Sequence, residues 1–115
     1  AAFDVEPRDD IAARLLVDTF TAARVDEWRE FTADCGKFTD EIDQEIAKSK
    51  FTFAELEEEE QSLDRLRRWH RDLKKRDILA LPDAQVAAHR LKDAERALEG
   101  YAERVYEANR LTDTR

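Results

Sequence analysis

The chain has 115 residues, of which 42% are charged, and its net charge is −8. Such a surface repels nucleic acid and anionic membranes unless positive charge is segregated locally, and no apolar run approaches the roughly 20 residues that a membrane span needs. A single cysteine excludes an intrachain disulfide and a multi-cysteine metal site. The single cysteine fits the reducing cytoplasm, so a cytoplasmic protein is predicted. With two Gly and two Pro, the composition predicts one domain of long helices.

Residues 1–8, AAFDVEPR, are predicted to be a strand-like remnant or linker. Phe3 and Val5 alternate with polar residues, as at the end of a strand. Pro7 suits the entry to a helix, and the two aspartates that follow can cap it. Because the chain contains no Met, we expect it to be a piece of a longer protein.

Residues 9–49 are predicted to form a first helix of about 60 Å. One apolar stripe follows the helical period and has coiled-coil-like 3-4 steps downstream of Trp28. Its members are Ala13, Val17, Phe20, Trp28, Phe31, Cys35, Phe38, Ile42 and Ile46. A break near residues 22–26 remains an alternative, because the helix is long for a globular domain.

A second stripe lies on another face of the same segment and comprises Ile11, Leu15, Ala22 and Val25. A helix that is apolar on two sides is covered on two sides. Either the third helix covers this stripe, or another chain or a missing upstream segment does. Since the later helices have only about 25 residues each, residues 11–25 should overhang the bundle, which favours an external partner.

Residues 53–78 are predicted to form the second helix, with Thr52 as its N-cap and Glu55 completing a capping box. Its core register is Leu56, Leu63, Leu66, His70 and Leu73, with Trp69 beside it. The acidic run at residues 57–60 is interpreted as a solvated first turn. Basic residues crowd the other end, in the order that the helix dipole favours.

Residues 83–110 are predicted to form the third helix, entered at Pro82, and residues 111–115 to fray. Its apolar stripe is Val86, Leu91, Ala94, Leu98, Tyr101, Val105 and Ala108. Short turns make sequential helices antiparallel, so the expected fold is an all-α antiparallel three-helix bundle with a long first helix.

Arg68, Arg71 and Lys75 share one face of the second helix and form a candidate surface for an oxyanion or a DNA phosphate. The other interpretation is a surface that pairs with the acidic first and third helices. His70 and Cys35 both fall on apolar stripes, where a core histidine and an inert thiol are the common cases. We therefore expect no catalytic residue, no cofactor and no metal site.

Four stretches resemble the helical part of the N-terminal region of ChrB-type chromate resistance proteins: residues 50–58 (KFTFAELEE), Arg68-Trp69, Arg76-Asp77 and residues 98–109. The resemblance covers about residues 20–110. Residues 78–82 depart from it, because the family often has a Gly-Ala-Pro turn there. It implies a bacterial, chromate-responsive, DNA-binding regulator of transcription. It carries over no chromate- or DNA-contacting residue, so DNA contact is expected only from absent sequence.

Together these features favour a non-catalytic interaction or dimerisation module of such a regulator. The expected partner is a second copy or an adjacent domain that is missing here, at the stripe from Ile11 to Val25. The alternative is a module that contacts an oxyanion or DNA phosphate through the basic face.

Overall fold

A computed structural model describes the chain over residues 7–113, with side chains over residues 8–110. Its helices are α1 (Pro7–Ala47), α2 (Phe53–Arg76) and α3 (Pro82–Asp113), and each pair packs together. The described residues contain no strand, which confirms the all-α three-helix bundle. The strand-like segment predicted at residues 3–5 lies outside the described residues.

The helix ends differ by a few residues from those expected. Helix α1 begins at Pro7, because proline is preorganised for a first helical position and acidic residues follow in the first turn. It is continuous through residues 22–26, so the alternative of a break there is wrong. Helix α2 ends at Arg76, and α3 extends to Asp113, past the start of the expected frayed tail.

The turn between α1 and α2 is built from backbone hydrogen bonds. The Lys50 N–H donates to the Glu45 carbonyl at 2.9 Å, and the Ser49 N–H donates to the Ile46 carbonyl at 3.0 Å. This pairing is a Schellman motif, and it places Ser49 at a positive φ of 54°. The Thr52 hydroxyl then accepts from the Glu55 N–H at 3.2 Å, which confirms Thr52 as the N-cap of α2.

Helix α3 holds this turn from the side. The Tyr101 hydroxyl donates to the Lys50 carbonyl, and the Asn109 side-chain amide donates to the Phe51 carbonyl at 3.0 Å. The Arg104 guanidinium lies 5.0 Å from the centroid of the Phe51 ring. The C-terminal part of α3 thus satisfies two backbone carbonyls of the turn.

The core begins at Trp28 and fills the space among the three helices. Trp28 and Phe31 meet edge-on, with ring centroids 6.3 Å apart. The expectation for α3 was wrong at one position: Val86 is 51% exposed and Ala87 is fully buried. The buried apolar set is Trp28, Phe31, Cys35, Phe38, Ile42, Leu56, Leu63, Leu66, Leu73, Ala87, Leu91, Ala94, Leu98, Tyr101 and Val105.

The N-terminal part of α1 extends beyond this core. Residues 8–20 are all exposed, and Leu15 and Leu16 are 61% and 72% exposed. Of the two alternatives for the second stripe, covering by the third helix is therefore wrong. We call residues 8–25 the overhang. The arrangement follows from the lengths of the helices, because α2 has 24 residues and α1 has 41.

Removing the N-cap of α2 should destabilise the bundle measurably. Thr52→Ala deletes the oxygen that accepts from the Glu55 N–H, and a lost N-cap of this kind costs about 1 kcal/mol. Urea unfolding followed by circular dichroism measures the difference. Thr52→Ser keeps a capping hydroxyl and should stay close to wild type, so equal losses in both variants would contradict the assignment.

Candidate functional site

The predicted partner stripe lies on the overhang. Ile11 and Leu15 are 59% and 61% exposed, Ala22 is exposed, and Val25 is half-buried. The stripe is thus accessible along most of its length. Sequence reasoning missed Leu16, which at 72% exposed is more open than any member of the stripe. It lies about 100° round the helix from Leu15, and three residues after Ala13 and four before Phe20, so it borders the first predicted stripe without having been included in it.

The overhang meets the bundle at a small polar and aromatic contact. The Arg24 guanidinium lies 5.1 Å from the centroid of the Phe20 ring and pairs with the Glu27 carboxylate at 3.1 Å. Arg76 at the end of α2 reaches the same carboxylate at 3.6 Å. Arg24 therefore covers part of Phe20, while the described apolar residues from Ile11 to Val17 are all more than half exposed or small.

The candidate basic face lies on the solvent side of α2. Arg68, Arg71 and Lys75 are all exposed, and none of them pairs with a carboxylate of the described residues. Neighbouring Arg67, in contrast, pairs with Asp64 on its own helix and with α3, each at 3.4 Å. Pairing with the acidic helices thus accounts for Arg67 and not for the three predicted residues.

A cluster of three glutamates lies where α1 turns into α2. Glu45 comes from the end of α1, and Glu55 and Glu59 come from successive turns of α2. One carboxylate oxygen from each lies within 4.8 Å of the others. Glu59 is only 7% exposed, and a buried oxygen on it and one on Glu45 lack a hydrogen-bond partner among the described residues. We call these residues the glutamate cluster.

The cluster carries concentrated negative charge in a poorly solvated place. Burial, and then the carboxylates of Glu41, Glu45, Glu55 and Glu58, raise the pKa of Glu59 from 4.5 to about 7. Burial and the three cluster carboxylates raise the pKa of Tyr101, on α3, to about 12. Each of these groups favours its uncharged state because a further negative charge has no nearby compensation.

The interpretation of residues 57–60 as a solvated turn is wrong for Glu59. The spacing in the sequence nevertheless carries a signal for the burial of Glu59. Glu59 stands three residues after Leu56 and four before Leu63, so it falls on the 3-4 stripe that enters the core. The predicted core register passes from Leu56 to Leu63 without Glu59 because a glutamate is rarely buried.

The two other candidates for chemistry lie against the core. His70 is half-buried, with its ring centroid 5.8 Å from that of Trp28 and 5.5 Å from that of Phe31. Burial, and then Lys74, lower the pKa of His70, which favours the neutral ring. Burial, and then Asp34, raise the pKa of the Cys35 thiol to about 11, which opposes formation of a thiolate.

The geometry defines a class: an all-α three-helix bundle with one helix that extends well past its neighbours. None of the helices, over the described residues, is long and apolar enough to cross a membrane.

Residues 1–112 match the model of the family described as "Protein ChrB, N-terminal", and the chain belongs to this family. The family is a region of proteins associated with chromate resistance. The match confirms the resemblance and extends it from about residue 20 back through the overhang. No curated protein and no solved structure matches the chain.

The raised pKa of Glu59 should make the stability of the bundle depend on pH. The native state holds this proton more tightly than the unfolded chain, so stability falls as pH rises from 4.5 to about 7. At about 1.4 kcal/mol per tenfold change in proton affinity, the loss amounts to about 3 kcal/mol. Glu59→Gln stays neutral and should be more stable than wild type at pH 8, by up to that amount.

Denaturant unfolding at pH 5 and pH 8, in a buffer containing a chelator, measures the two differences. The advantage of Glu59→Gln should shrink towards pH 5, where the wild-type carboxyl is protonated in the native state. Glu57→Gln is the matched control, because Glu57 is exposed on the same turn. An advantage that is the same at both pH values would refute this account of Glu59.

Proposed function

We propose that the chain is a non-catalytic helical dimerisation module of a bacterial chromate-resistance regulatory protein that acts in the cytoplasm. Membership of the ChrB N-terminal family supports the link to chromate resistance. The observation that carries dimerisation is the overhang, where large apolar side chains lie exposed on more than one side of a single helix. Exposed apolar surface of this extent is typical of interaction sites.

The overhang needs a partner for physical reasons. A solitary helix of about 18 residues is marginal in water, and most helices in proteins are stabilised by packing of their apolar faces. Ile11, Leu15 and Leu16 each leave more than half of their surface in water. Burying such side chains contributes roughly 1.5–3 kcal/mol each. Association therefore has two effects: it stabilises the helix of the overhang, and it removes apolar surface from solvent.

The distribution of charge favours a second copy of the chain as the partner. Two overhangs that pack antiparallel about a point near residue 16 bring Arg14 of each copy opposite Asp18 of the other. Leu15 then lies near the centre of the contact. Such a contact is isologous, so each favourable pair occurs twice. Among the described residues, Arg14 pairs with the exposed Asp10 at 3.5 Å, and such a pair is weak enough to exchange.

Dimerisation through the overhang is tested by light scattering coupled to size-exclusion chromatography. Wild type should dimerise, and Ile11→Glu combined with Leu15→Glu should raise the dimer dissociation constant at least about tenfold, or about 1.4 kcal/mol. Val86→Glu is the control, because Val86 is a 51% exposed apolar residue on α3, outside the overhang. A strictly monomeric wild type, or a double variant with unchanged association and melting, would refute the proposal.

Charge exchange gives a sharper version of the same test. Arg14→Glu alone places two acidic side chains together in the antiparallel contact and should weaken the dimer. Asp18→Arg added to it restores opposite charges and should recover association. Arg14 and Asp18 are also i,i+4 neighbours within one helix, so the helix content of each variant is measured by circular dichroism as well. Recovery of association without a matching change in helix content indicates a contact between Arg14 of one copy and Asp18 of the other. Losses that simply add would exclude this antiparallel register.

A second candidate function uses the basic face of α2 to bind an oxyanion or a DNA phosphate. The observation that favours it is that Arg68, Arg71 and Lys75 lie exposed without carboxylate partners among the described residues, in a strongly acidic protein. Guanidinium groups bind oxyanions well because their N–H groups form a planar fork. The glutamates of the same chain oppose this binding, since they lower the local anion concentration.

Titration of chromate, sulfate and duplex DNA at low salt tests this second function. Arg68→Ala with Arg71→Ala should weaken binding at least about tenfold if the face contributes two charge-assisted contacts. Arg90→Ala with Arg96→Ala removes the same charge from exposed positions on α3 and should have a much smaller effect. No binding of any of these ligands, or equal effects of the two double variants, would exclude the basic face.

A further inference from the structure

The glutamate cluster lies outside both surfaces considered so far, and its geometry is that of a ligand set. Three carboxylate oxygens from two helices converge within 4.8 Å of one another. We propose that Glu45, Glu55 and Glu59 bind one hard divalent cation of the class Mg²⁺, Mn²⁺ and Ca²⁺, at the end of the bundle where α1 turns into α2. This site is independent of the overhang and of dimerisation.

The state of Glu59 separates this site from an ordinary acidic surface. Exposed glutamates are satisfied by water, whereas Glu59 is 93% buried, as its exposure of 7% gives. Its inner oxygen has no hydrogen-bond partner among the described residues, and neither has an inner oxygen of Glu45. A buried, unpaired carboxylate is costly, and pairing with a cation is one of the few ways to offset that cost.

Among the described residues, no side chain supplies such a cation. None of the described ion pairs includes Glu45, Glu55 or Glu59, although lysines and arginines make up 20 residues of the chain. Glu41 and Glu58 add further negative charge around Glu59. The electrostatic potential at the cluster is therefore strongly favourable for a small ion of high positive charge.

The type of donor decides the class of ion. All three donors are carboxylate oxygens, which suit Mg²⁺, Ca²⁺ and Mn²⁺, whereas Zn²⁺ and Cu²⁺ sites commonly include nitrogen or sulfur donors. Glu45 and Glu55 are half-buried, so the cluster stays open to solvent on one side. Water can complete the coordination shell from that side, as it does in many magnesium sites.

Binding at this place would tie the end of α1 to the beginning of α2. Glu45 also provides the backbone carbonyl that accepts from Lys50 in the turn, and Glu55 provides the N–H bound by Thr52. An ion held by both side chains therefore bridges the two residues that define the turn. Because the unfolded chain does not hold these carboxylates together, binding must raise the free energy of unfolding.

The test uses Mn²⁺, whose aqueous electron paramagnetic resonance signal decreases on binding. Protein freed of metal with a chelator and then dialysed is titrated with Mn²⁺ at pH 7.5 and constant ionic strength. We expect one ion per chain and a rise in the melting temperature. Mg²⁺ and Ca²⁺ should compete, while additional NaCl of equal ionic strength should not reproduce the rise.

Matched variants locate the site. Glu59→Gln and Glu45→Gln should each weaken Mn²⁺ binding at least about tenfold, because each removes one of three anionic ligands. Glu57→Gln removes the same charge from an exposed position on α2 and should bind like wild type. Glu59→Gln has no buried charge, so it should remain folded, and circular dichroism checks this.

Three results would overturn the proposal. The first is a wild-type protein that leaves the free Mn²⁺ signal undiminished at millimolar metal. The second is undiminished binding by Glu59→Gln and Glu45→Gln, which would place the ion elsewhere. The third is equal weakening by Glu57→Gln, which would reduce the effect to general attraction by an acidic surface.

Discussion

The hydrogen bonds from α3 to the first turn determine the arrangement of the rest of the molecule. Tyr101 and Asn109 bind the carbonyls of Lys50 and Phe51, and so fix the point at which the chain reverses. Helix α2 then has to return along the second half of α1, because Thr52 caps it directly after the turn. Because α1 is longer than α2, the N-terminal part of α1 extends beyond the end of α2 and forms the overhang.

The same turn concentrates negative charge at one end of the bundle. Closing α1 onto α2 brings Glu45 against Glu55 and Glu59, and Tyr101 adds a group that must stay protonated to donate its hydrogen bond. The positive end of the α2 dipole offsets part of this charge near Glu55, which lies in the first turn. The dipole effect falls off within a turn, so Glu59 receives less of it. A proton or a cation is then left to neutralise Glu59.

The features that could be predicted from the sequence are those encoded locally. The N-cap at Thr52 and the entry at Pro82 each depend on residues adjacent in the chain, and the overhang follows from counting residues between breakers. The family could also be recognised, because the stretches that resemble it, such as residues 50–58, are contiguous in the sequence.

The errors concern choices between residues that only tertiary packing decides. At the start of α3, Val86 is the larger apolar residue, yet Ala87 begins the 4-3-4 spacing to Leu91, Ala94 and Leu98 and is fully buried there. Small residues at such positions let helices approach closely. Glu59 was missed for the converse reason, since a charged residue occupied a core position of α2. The glutamate cluster also needs Glu45, from another helix, and the sequence shows this proximity only after the turn has been placed.

The two ends of α1 therefore have separate physical roles. About 30 residues separate the centre of the overhang from Glu45, which is roughly 45 Å along a helix. Screening over several Debye lengths removes direct electrostatic coupling across that distance at physiological salt. Coupling through structure would require α1 to change as a whole, and the rigid core from Trp28 to Ile42 lies between the two ends. Changes at the cluster should act on the stability of the turn and those at the overhang on association, with effects that add.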